Sequence, residues 1–383
     1  MATVRFSRRR FIQTASAGAS AFALSAPGKA LGANDKITLG IIGSGGRGRR
    51  LLQAITNIPD FQVAAVCDLV PERMDQAAAI CEQYQPPVRK YLDFRVMFEK
   101  EKLDACLVAT EEGNHAKCAI PVMEAGIHCF CEKPMDISVE NVDRVTRAAR
   151  KAKTVYQIGF QRHYIPTFQS CMKHIHEGGI GKVTFLQGMW HWAYGVGGRY
   201  LDMDIAGSWF LAQACHHADA MMWAMNGQKP LHCCAMAINS EKHENPPAHC
   251  AEDHSAIVYQ FPGDVVFSYT HLMNCCEEFT GEKLWVYGEK AGINLPEGMK
   301  YPRPGQGEPV KLGEKVTDWD NGTYEELEAF ARHIRNNETP LSNVETGRLS
   351  TLMGIMGGMA MYNRKKSKLE STMVTWKDLG TTT

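Results

Sequence analysis

Apolar and polar positions divide the first 160 residues into short β-like runs alternating with longer helical stretches. An apolar, β-branched run from Ile37 to Ile42 leads into Gly43-Ser44-Gly45-Gly46-Arg47-Gly48, and a helical pattern follows over Gly46 to Ile58. Phe61 to Asp68 is a second apolar run, and PERMDQAAAICEQY after it reads as a helix. Tyr91 to Glu101 reads as a strand end and a helix, and Asp104 to Thr110 as a third buried strand. A polar loop, Glu111 to Asn114, precedes a helix over His115 to Gly126 that its terminal glycine closes. His128 to Cys131 is a strand ending in Glu132-Lys133-Pro134, Val139 to Ala152 a helix, and Val155 to Phe160 a further strand. Apolar strands alternating with helices predict an α/β fold, a doubly wound parallel sheet of Rossmann type.

Beyond Gln161 the pattern changes to strand-like segments: Val183 to Trp192, Leu231 to Ile238, Ser255 to Phe261, Val265 to Leu272 and Lys283 to Tyr287. Pro262-Gly263-Asp264 reads as a hairpin turn. Tyr324 to Asn336 is a helix placed to pack back near the sheet, and Gly347 to Tyr362 is a second, rich in Met and Gly. Its stripe of Met353, Met356, Met359 and Met361 suits core packing.

Chemistry enters at the glycine turn. A strand, a Gly-x-Gly-x-x-Gly turn and a helix N-terminus stand in the order a dinucleotide site needs. Gly43 makes the tight turn, Gly45 lets backbone approach a pyrophosphate, and Gly48 lets the helix pack on the strand. The helix N-terminus offers N–H groups and a positive dipole end to phosphates. Asp68 falls 20 residues after Gly48, where such folds place the acid that binds the ribose hydroxyls. An acid there favours NAD over NADP. The same residue could also serve the helix start before Pro71.

Composition narrows the class. At about 150 residues per domain, 383 residues suggest two. Lys+Arg and Asp+Glu are equal at 42 each, which argues against nucleic acid as a bulk partner. Ser7-Arg8-Arg9-Arg10-Phe11-Ile12-Gln13 reads as a twin-arginine export signal with Thr14 to Ala26 as its weakly apolar core. That core is shorter than the roughly 20 residues a membrane span needs, so no stable membrane anchor is expected. The 13 cysteines are odd in number and lack zinc spacing, so structural thiols and no metal are expected.

IIGSGGRG, VCD, LVAT, VMEAGIHCFCEKP and YQIGFQRH, in this order and spacing, resemble the Gfo/Idh/MocA oxidoreductases, the superfamily of glucose–fructose oxidoreductase and inositol dehydrogenase. GGIGKV, CHHAD, the VYGEKAGINL hairpin and FARHIRNN extend the resemblance over most of the chain. It implies a signal and linker at 1–33, a nucleotide-binding domain at 34–160, and at 161–383 an α+β domain with a large, mostly antiparallel open sheet. That sheet also implies a homo-oligomer. The nucleotide would be held by Gly43, Gly45, Gly46, Arg47, Gly48, Asp68, Thr110, His115, Glu132, Lys133 and Gln161. Lys133 and His216 would be catalytic, with Asp219 orienting the histidine from the same helix face. Arg162, His163, Tyr164, Trp192 and His217 would meet a small carbohydrate. Trp190, Trp192, Tyr194 and Tyr200 form an aromatic cluster suited to sugar stacking or to packing.

Two departures stand out. Inositol-dehydrogenase-type members carry an aspartate four residues before the histidine; here Ala212 stands there, beside Gln213. Asp253-His254 is a candidate replacement acid. Most members have a Thr-Pro pair where Thr110-Glu111 occurs, so Glu111, Glu112, Asn114 and His115 are further candidates at the ribose or substrate.

Export alters what the cofactor must do, because free NAD is scarce outside the cytoplasm. The expectation is a periplasmic or otherwise exported enzyme, handled by the twin-arginine machinery, that keeps NAD tightly bound and moves hydride on a sugar or sugar derivative. One alternative is an NAD-dependent glycoside hydrolase or lyase working by transient oxidation and elimination. A second is a non-catalytic sugar-binding protein, which Ala212 favours and Lys133 and His216 oppose.

Overall fold

Ile37–Ile42 (β1) is apolar at every position but Thr38 and Gly40 and occupies the middle of a six-stranded sheet. Its companions are β2 (Phe61–Cys67), β3 (Arg89–Tyr91), β4 (Ala105–Val108), β5 (His128–Cys131) and β6 (Tyr156–Ile158). The order is β3-β2-β1-β4-β5-β6 and every pairing is parallel. The order reverses between β1 and β4, and the cleft beyond the carboxyl ends of those two strands is where such sheets bind ligands. The computed structural model describes residues 35–317 and 322–382. The twin-arginine segment expected at Ser7 to Ala26 lies outside them.

The helix after the glycine turn runs Gly46–Ile55, three residues shorter than expected. Pro59 disfavours helical backbone before it, and the chain closes with Thr56 N–H on Leu52 O and Asn57 N–H on Ala54 O. The helix Pro71–Cys81 likewise stops before Pro86-Pro87. The Gln85 amide there replaces a strand partner, accepting from Val63 N–H at 2.9 Å and donating to Val63 O.

The second sheet contains β7 (Val183–His191), β8 (His232–Ile238), β9 (His254–Phe261), β10 (Val265–Leu272), β11 (Gly281–Gly288), β12 (Ala291–Asn294), β13 (Met299–Pro302) and β14 (Val310–Lys311). Near the C-terminus, β15 (Tyr362–Asn363) and β16 (Lys368–Leu369) pair alone, and β17 (Met373–Thr375) joins the edge at β8. The order is β14-β13-β12-β11-β7-β10-β9-β8-β17. Only β7 and β10 are parallel, so the sheet is mixed and mostly antiparallel.

One face of this sheet is covered by helices. Val344–Met361 packs close to it: a methyl group on Gly357 would lie 2.5 Å from the Tyr259 hydroxyl. Met353, Met356 and Met361 are buried as expected of a core stripe, but Met359 is partly exposed. The opposite face presents Phe185, Met236, Ile238, Val258, Tyr287 and Tyr301 in register and exposed.

The helix Thr323–Asn336 packs on the first sheet although it follows the second in sequence. Phe330 stacks on Phe61 at 6.4 Å between ring centroids and meets Phe130 edge-on at 5.8 Å. All 13 cysteines are free thiols and nine are buried, so they act as small hydrophobes. Burial pushes Cys67 and Cys81 up to about 12, which keeps both thiols protonated. Among the described residues no helix is long and apolar enough to cross a membrane.

Candidate active site

The glycine turn is built by two close approaches and one open side. Gly43 has φ +91°, and a Cβ there would stand 2.5 Å from Ala109 O. A Cβ on Gly48 would stand 2.2 Å from Gly43 O. At Gly45 and Gly46 a Cβ would meet no protein atom within 4 Å. Gly45 caps the helix Gly46–Ile55 with no side-chain bond, so the first-turn N–H groups are available to a ligand. Both residues line a groove of about 600 Å³ that runs on to Asp68. A shape open only on the ligand side, with uncapped donors, fits a dinucleotide pyrophosphate.

Asp68 ends β2 in that groove. Its Oδ2 accepts from Ser44 N–H at 2.7 Å and from the Ser44 hydroxyl at 3.1 Å, and Oδ1 accepts from Val70 N–H at 3.0 Å. The carboxylate therefore ties the glycine turn to β2 and keeps lone pairs for a ribose. The helix cap before Pro71 is Val70, not Asp68. Arg73 Nη1 lies 3.9 Å from Asp68, a cation that sequence reasoning passed over.

A second cavity of about 420 Å³ adjoins the groove, and the two share Gly46, Arg47, Ala109, Thr110, Arg199 and Tyr200. Lys133, His216, Gln161, Glu132, Thr110 and His115 all line it. Lys133 Nζ donates to Ala212 O at 2.8 Å. Glu132 accepts from Arg47 Nε at 2.6 Å, and Arg47 also donates to Thr323 Oγ1 and Glu326 Oε1, each at 3.2 Å. Arg47 thus borders the groove while fastening the glycine turn to the β5 loop and the returning helix. His115 Nδ1 donates to Pro134 O at 2.6 Å, which holds the chain after Lys133.

His216 is the second residue of the buried helix Cys215–Ala224. Its Nδ1 has no partner among the described residues. Burial pushes its pKa well below the usual range, and the charges of Lys133, Arg162 and Arg47 push it further. The ring is neutral near pH 7 and able to take a proton.

Several expected roles are corrected. Asp219 does not orient His216: its Oδ1 accepts from His163 Nε2 at 3.1 Å and from the Ser350 hydroxyl at 2.9 Å, away from the cavity. The helix is buried nearly all round, so a neighbouring position on it does not bring Asp219 to the cavity that His216 lines. His163 is therefore Asp219's partner, stacked on Trp223 at 4.2 Å, and not a substrate contact. Tyr164 bonds Ser342 at 3.1 Å in the core. Arg162 pairs with Glu282 at 2.5 Å, and Glu282 in turn bonds His217 Nε2 at 2.8 Å. His217 lies beneath Trp190, stacked at 5.0 Å, with no access to the cavity. Burial would raise the Glu282 carboxyl, but Arg162 and His217 outweigh it and hold it at about 2. Burial holds His217 at about 4. Of the five expected substrate residues only Trp192 lines the cavity, with Trp190 and Tyr200 of the aromatic cluster; Tyr194 is exposed beyond it. Asp253 is taken up by Ser240, Glu241 and His254, so that pair replaces no missing acid.

The structure adds Arg199, Trp209 and Gln213, none of them foreseen as site residues. Arg199 donates to both oxygens of Glu112, at 3.3 and 3.1 Å, and borders both cavities. The glycines at 195, 197 and 198, just before Arg199-Tyr200, were the available sign of a loop free to cross the cleft. Glu111 and Asn114 line the nucleotide groove, and Glu112 and His115 the smaller cavity.

Comparison with known proteins gives the same architecture. The myo-inositol 2-dehydrogenase of Thermotoga maritima is 22% identical over 346 residues, covering 88% of this chain and 99% of that protein. The inositol 2-dehydrogenase of Salmonella typhimurium is 27% identical over 194 residues, 49% of this chain and 54% of its own length. Among solved structures, scyllo-inositol dehydrogenase from Lactobacillus casei, with bound NAD(H) and scyllo-inositol, superposes with a TM-score of 0.70 at 18% identity, over 90% of this chain and 100% of that one. The family model described as the oxidoreductase family, NAD-binding Rossmann fold, matches residues 37–160, and the GFO/IDH/MocA C-terminal domain matches residues 168–294. With both of its halves matched in order, the chain belongs to the Gfo/Idh/MocA family of NAD-binding oxidoreductases.

Proposed function

We propose that this protein interconverts a hydroxyl and a ketone on a sugar or sugar-like ring, with NAD in the groove and Lys133 and His216 handling the proton. The observation that carries this reading is the junction of the two cavities, which puts Lys133 and His216 in continuity with the glycine turn. Relatives named as inositol 2-dehydrogenases support the substrate class. When bound, NAD supplies the acceptor for two electrons and one hydrogen from carbon. The neutral His216 ring takes the hydroxyl proton, and the Lys133 ammonium, held by Ala212 O, donates to the substrate oxygen. Trp190, Trp192 and Trp209 wall the cavity, suiting it to a ring with apolar faces and excluding water.

Retention of the cofactor is part of the proposal. Arg199 lines both cavities and is bonded to Glu112 of the smaller one, and this pair is assigned the part of slowing release of a dinucleotide from the groove. The Asp68 carboxylate supports NAD over NADP, with Arg73 the counterweight. The Arg8-Arg9 pattern supports export to the periplasm by the twin-arginine machinery. The exposed apolar face of the second sheet supports a homo-oligomer paired through it.

Native mass spectrometry of the purified protein tests retention, with one bound NAD expected and a nucleotide-free or NADP-loaded protein counting against it. A screen of inositols, aldoses and glycosides with no added cofactor then tests the reaction. Oxidation of a ring hydroxyl supports the reading, and net cleavage of a single glycoside would favour the hydrolase alternative. Unchanged turnover in Lys133→Ala on the substrate so found would remove Lys133 from the proton path, and binding of a sugar with no turnover of any compound in the screen would favour a binding protein.

A further inference from the structure

Gln213 follows the short helix Trp209–Ala212, and its side chain lines the cavity that holds Lys133 and His216. Its Oε1 lies 2.6 Å from His271 Nε2. His271 projects inward from β10, fully buried, with Trp209 stacked against it at 6.0 Å. Burial first, then the neighbouring His217, His191 and His254, push its pKa down to about 3. The ring is neutral at ordinary pH and carries one proton.

The position of that proton follows from the surroundings. His271 Nδ1 is buried without a partner among the described residues. A proton there would make an unpaired buried donor, which folded proteins avoid more strictly than an unfilled acceptor. The proton therefore sits on Nε2, His271 donates, and Gln213 Oε1 accepts. The amide is thereby oriented: its NH2, which makes no bond among the described residues, is left as a pure donor.

The carboxylates lining the cavity do not balance it. Glu112 is engaged by Arg199 and Glu132 by Arg47. Lys133 has given one of its three N–H groups to Ala212 O, and the others are uncommitted. A neutral polyol would meet these donors through hydroxyl oxygens that each also carry a proton, and the unpartnered nitrogen of the neutral His216 ring can take only one of those protons. A carboxylate accepts only, and matches this set.

We propose that Gln213, oriented by His271, is a specificity-determining residue that selects a sugar acid, taking a substrate carboxylate oxygen on its NH2. This rests on the reading of the cavity as a sugar site. Selectivity arises because a site of uncommitted donors rejects a ligand that leaves them unpaired.

The test uses the NAD-loaded protein and two probes, D-glucuronate and myo-inositol, with binding followed by quenching of the tryptophans that wall the cavity. The native protein is expected to bind glucuronate at least about tenfold more tightly than myo-inositol. Gln213→Glu keeps the size and the His271 bond but turns a donor into an acceptor, and the preference is expected to invert. Matching nucleotide content and thermal midpoint show that the variant is folded. Native protein that binds myo-inositol as tightly as glucuronate, or a Gln213→Glu variant with an unaltered ratio, overturns the selection of a sugar acid and leaves the oxidoreductase reading standing. If neither probe binds the native protein, the sugar-site reading falls and this inference with it.

Discussion

Lys133 Nζ donates to the backbone carbonyl of Ala212 across 2.8 Å, joining the loop after β5 to the helical segment that leads to His216. In the inositol-dehydrogenase-type pattern a carboxylate side chain stands at the Ala212 position. Here the ammonium meets a backbone carbonyl dipole, which orients it without neutralising it. The cation therefore remains available to a developing alkoxide, and its field helps keep His216 neutral.

Lys133→Met, close in length and uncharged, is expected to lower kcat by about 10²–10⁴, the usual span for losing a proton-handling group. The thermal midpoint should stay near that of the native protein, because Lys133 makes one side-chain bond to a carbonyl. Steady-state kinetics on the identified substrate checks this. A loss confined to KM would reduce Lys133 to a binding group.

The pH profile should carry the mark of His216. Its pKa is lowered by burial first and then by Lys133, Arg162 and Arg47, so the protonated, inactive ring appears only on the acid side of about pH 6.5. The acid limb of kcat/KM for oxidation is expected below that value. Removing the charge that lowers it most, with Lys133→Met, should move the residual activity's limb to higher pH. An unmoved limb would assign it to another group.

The glycine turn separates fold from ligand binding. A methyl group at Gly45 meets no protein atom, so Gly45→Ala should leave the thermal midpoint unchanged yet weaken NAD binding by about tenfold or more, because it fills the open side of the turn. Gly48→Ala places carbon 2.2 Å from Gly43 O and should destabilise the fold itself, by about 1–3 kcal/mol. Calorimetry with and without nucleotide distinguishes the two. Equal destabilisation by both would mean that the open side is needed for folding.

What could be read from the chain and what could not divide along the range of the interactions. The Ile37–Ile42 strand, its glycine turn and Asp68 lie within some 30 residues of one another, so their spacing is visible in sequence even though β4 and Ala109 complete the packing around them. Lys133 and His216 were legible by resemblance. The side chains around them were not. His163, Asp219 and Ser350 meet from positions 56 and 131 residues apart, and Arg162, Glu282 and His217 converge similarly. The helix Cys215–Ala224 is buried almost throughout, so no apolar stripe shows which side faces the cavity. His216 turns toward it while His217 and Asp219 turn into the core. The return of Thr323–Asn336 to the first sheet is equally hidden, because an amphipathic face does not say which sheet covers it.

Glu252 offers a stability measurement independent of substrate. It is fully buried, its Oε1 accepts from Phe210 N–H at 2.8 Å, and burial raises its carboxyl to about 7. A group whose folded pKa is raised contributes stability that is complete below its unfolded value of about 4.5 and lost as pH rises through about 7. Between pH 5 and pH 8 this residue should remove about 2 kcal/mol of stability. Glu252→Gln carries no charge and should flatten that part of the profile. Denaturant unfolding at the two pH values checks it, and a parallel profile for the variant would show that Glu252 does not titrate there.

The Arg199–Glu112 pair makes the sharpest statement about the cofactor. Arg199 borders both cavities and crosses from the loop after β7 to the loop after β4. Arg199 is partly exposed, so the pair adds little to folding stability, at most about 1 kcal/mol. Its weight should fall on nucleotide release. Arg199→Gln is expected to shorten the residence time of bound NAD by about tenfold or more with little change in thermal midpoint. Glu112→Gln should do the same, and the double variant should add almost nothing further, because both single changes open one contact. Repeated gel filtration followed by nucleotide assay reads this directly. Additive effects would show that the two residues hold the cofactor separately.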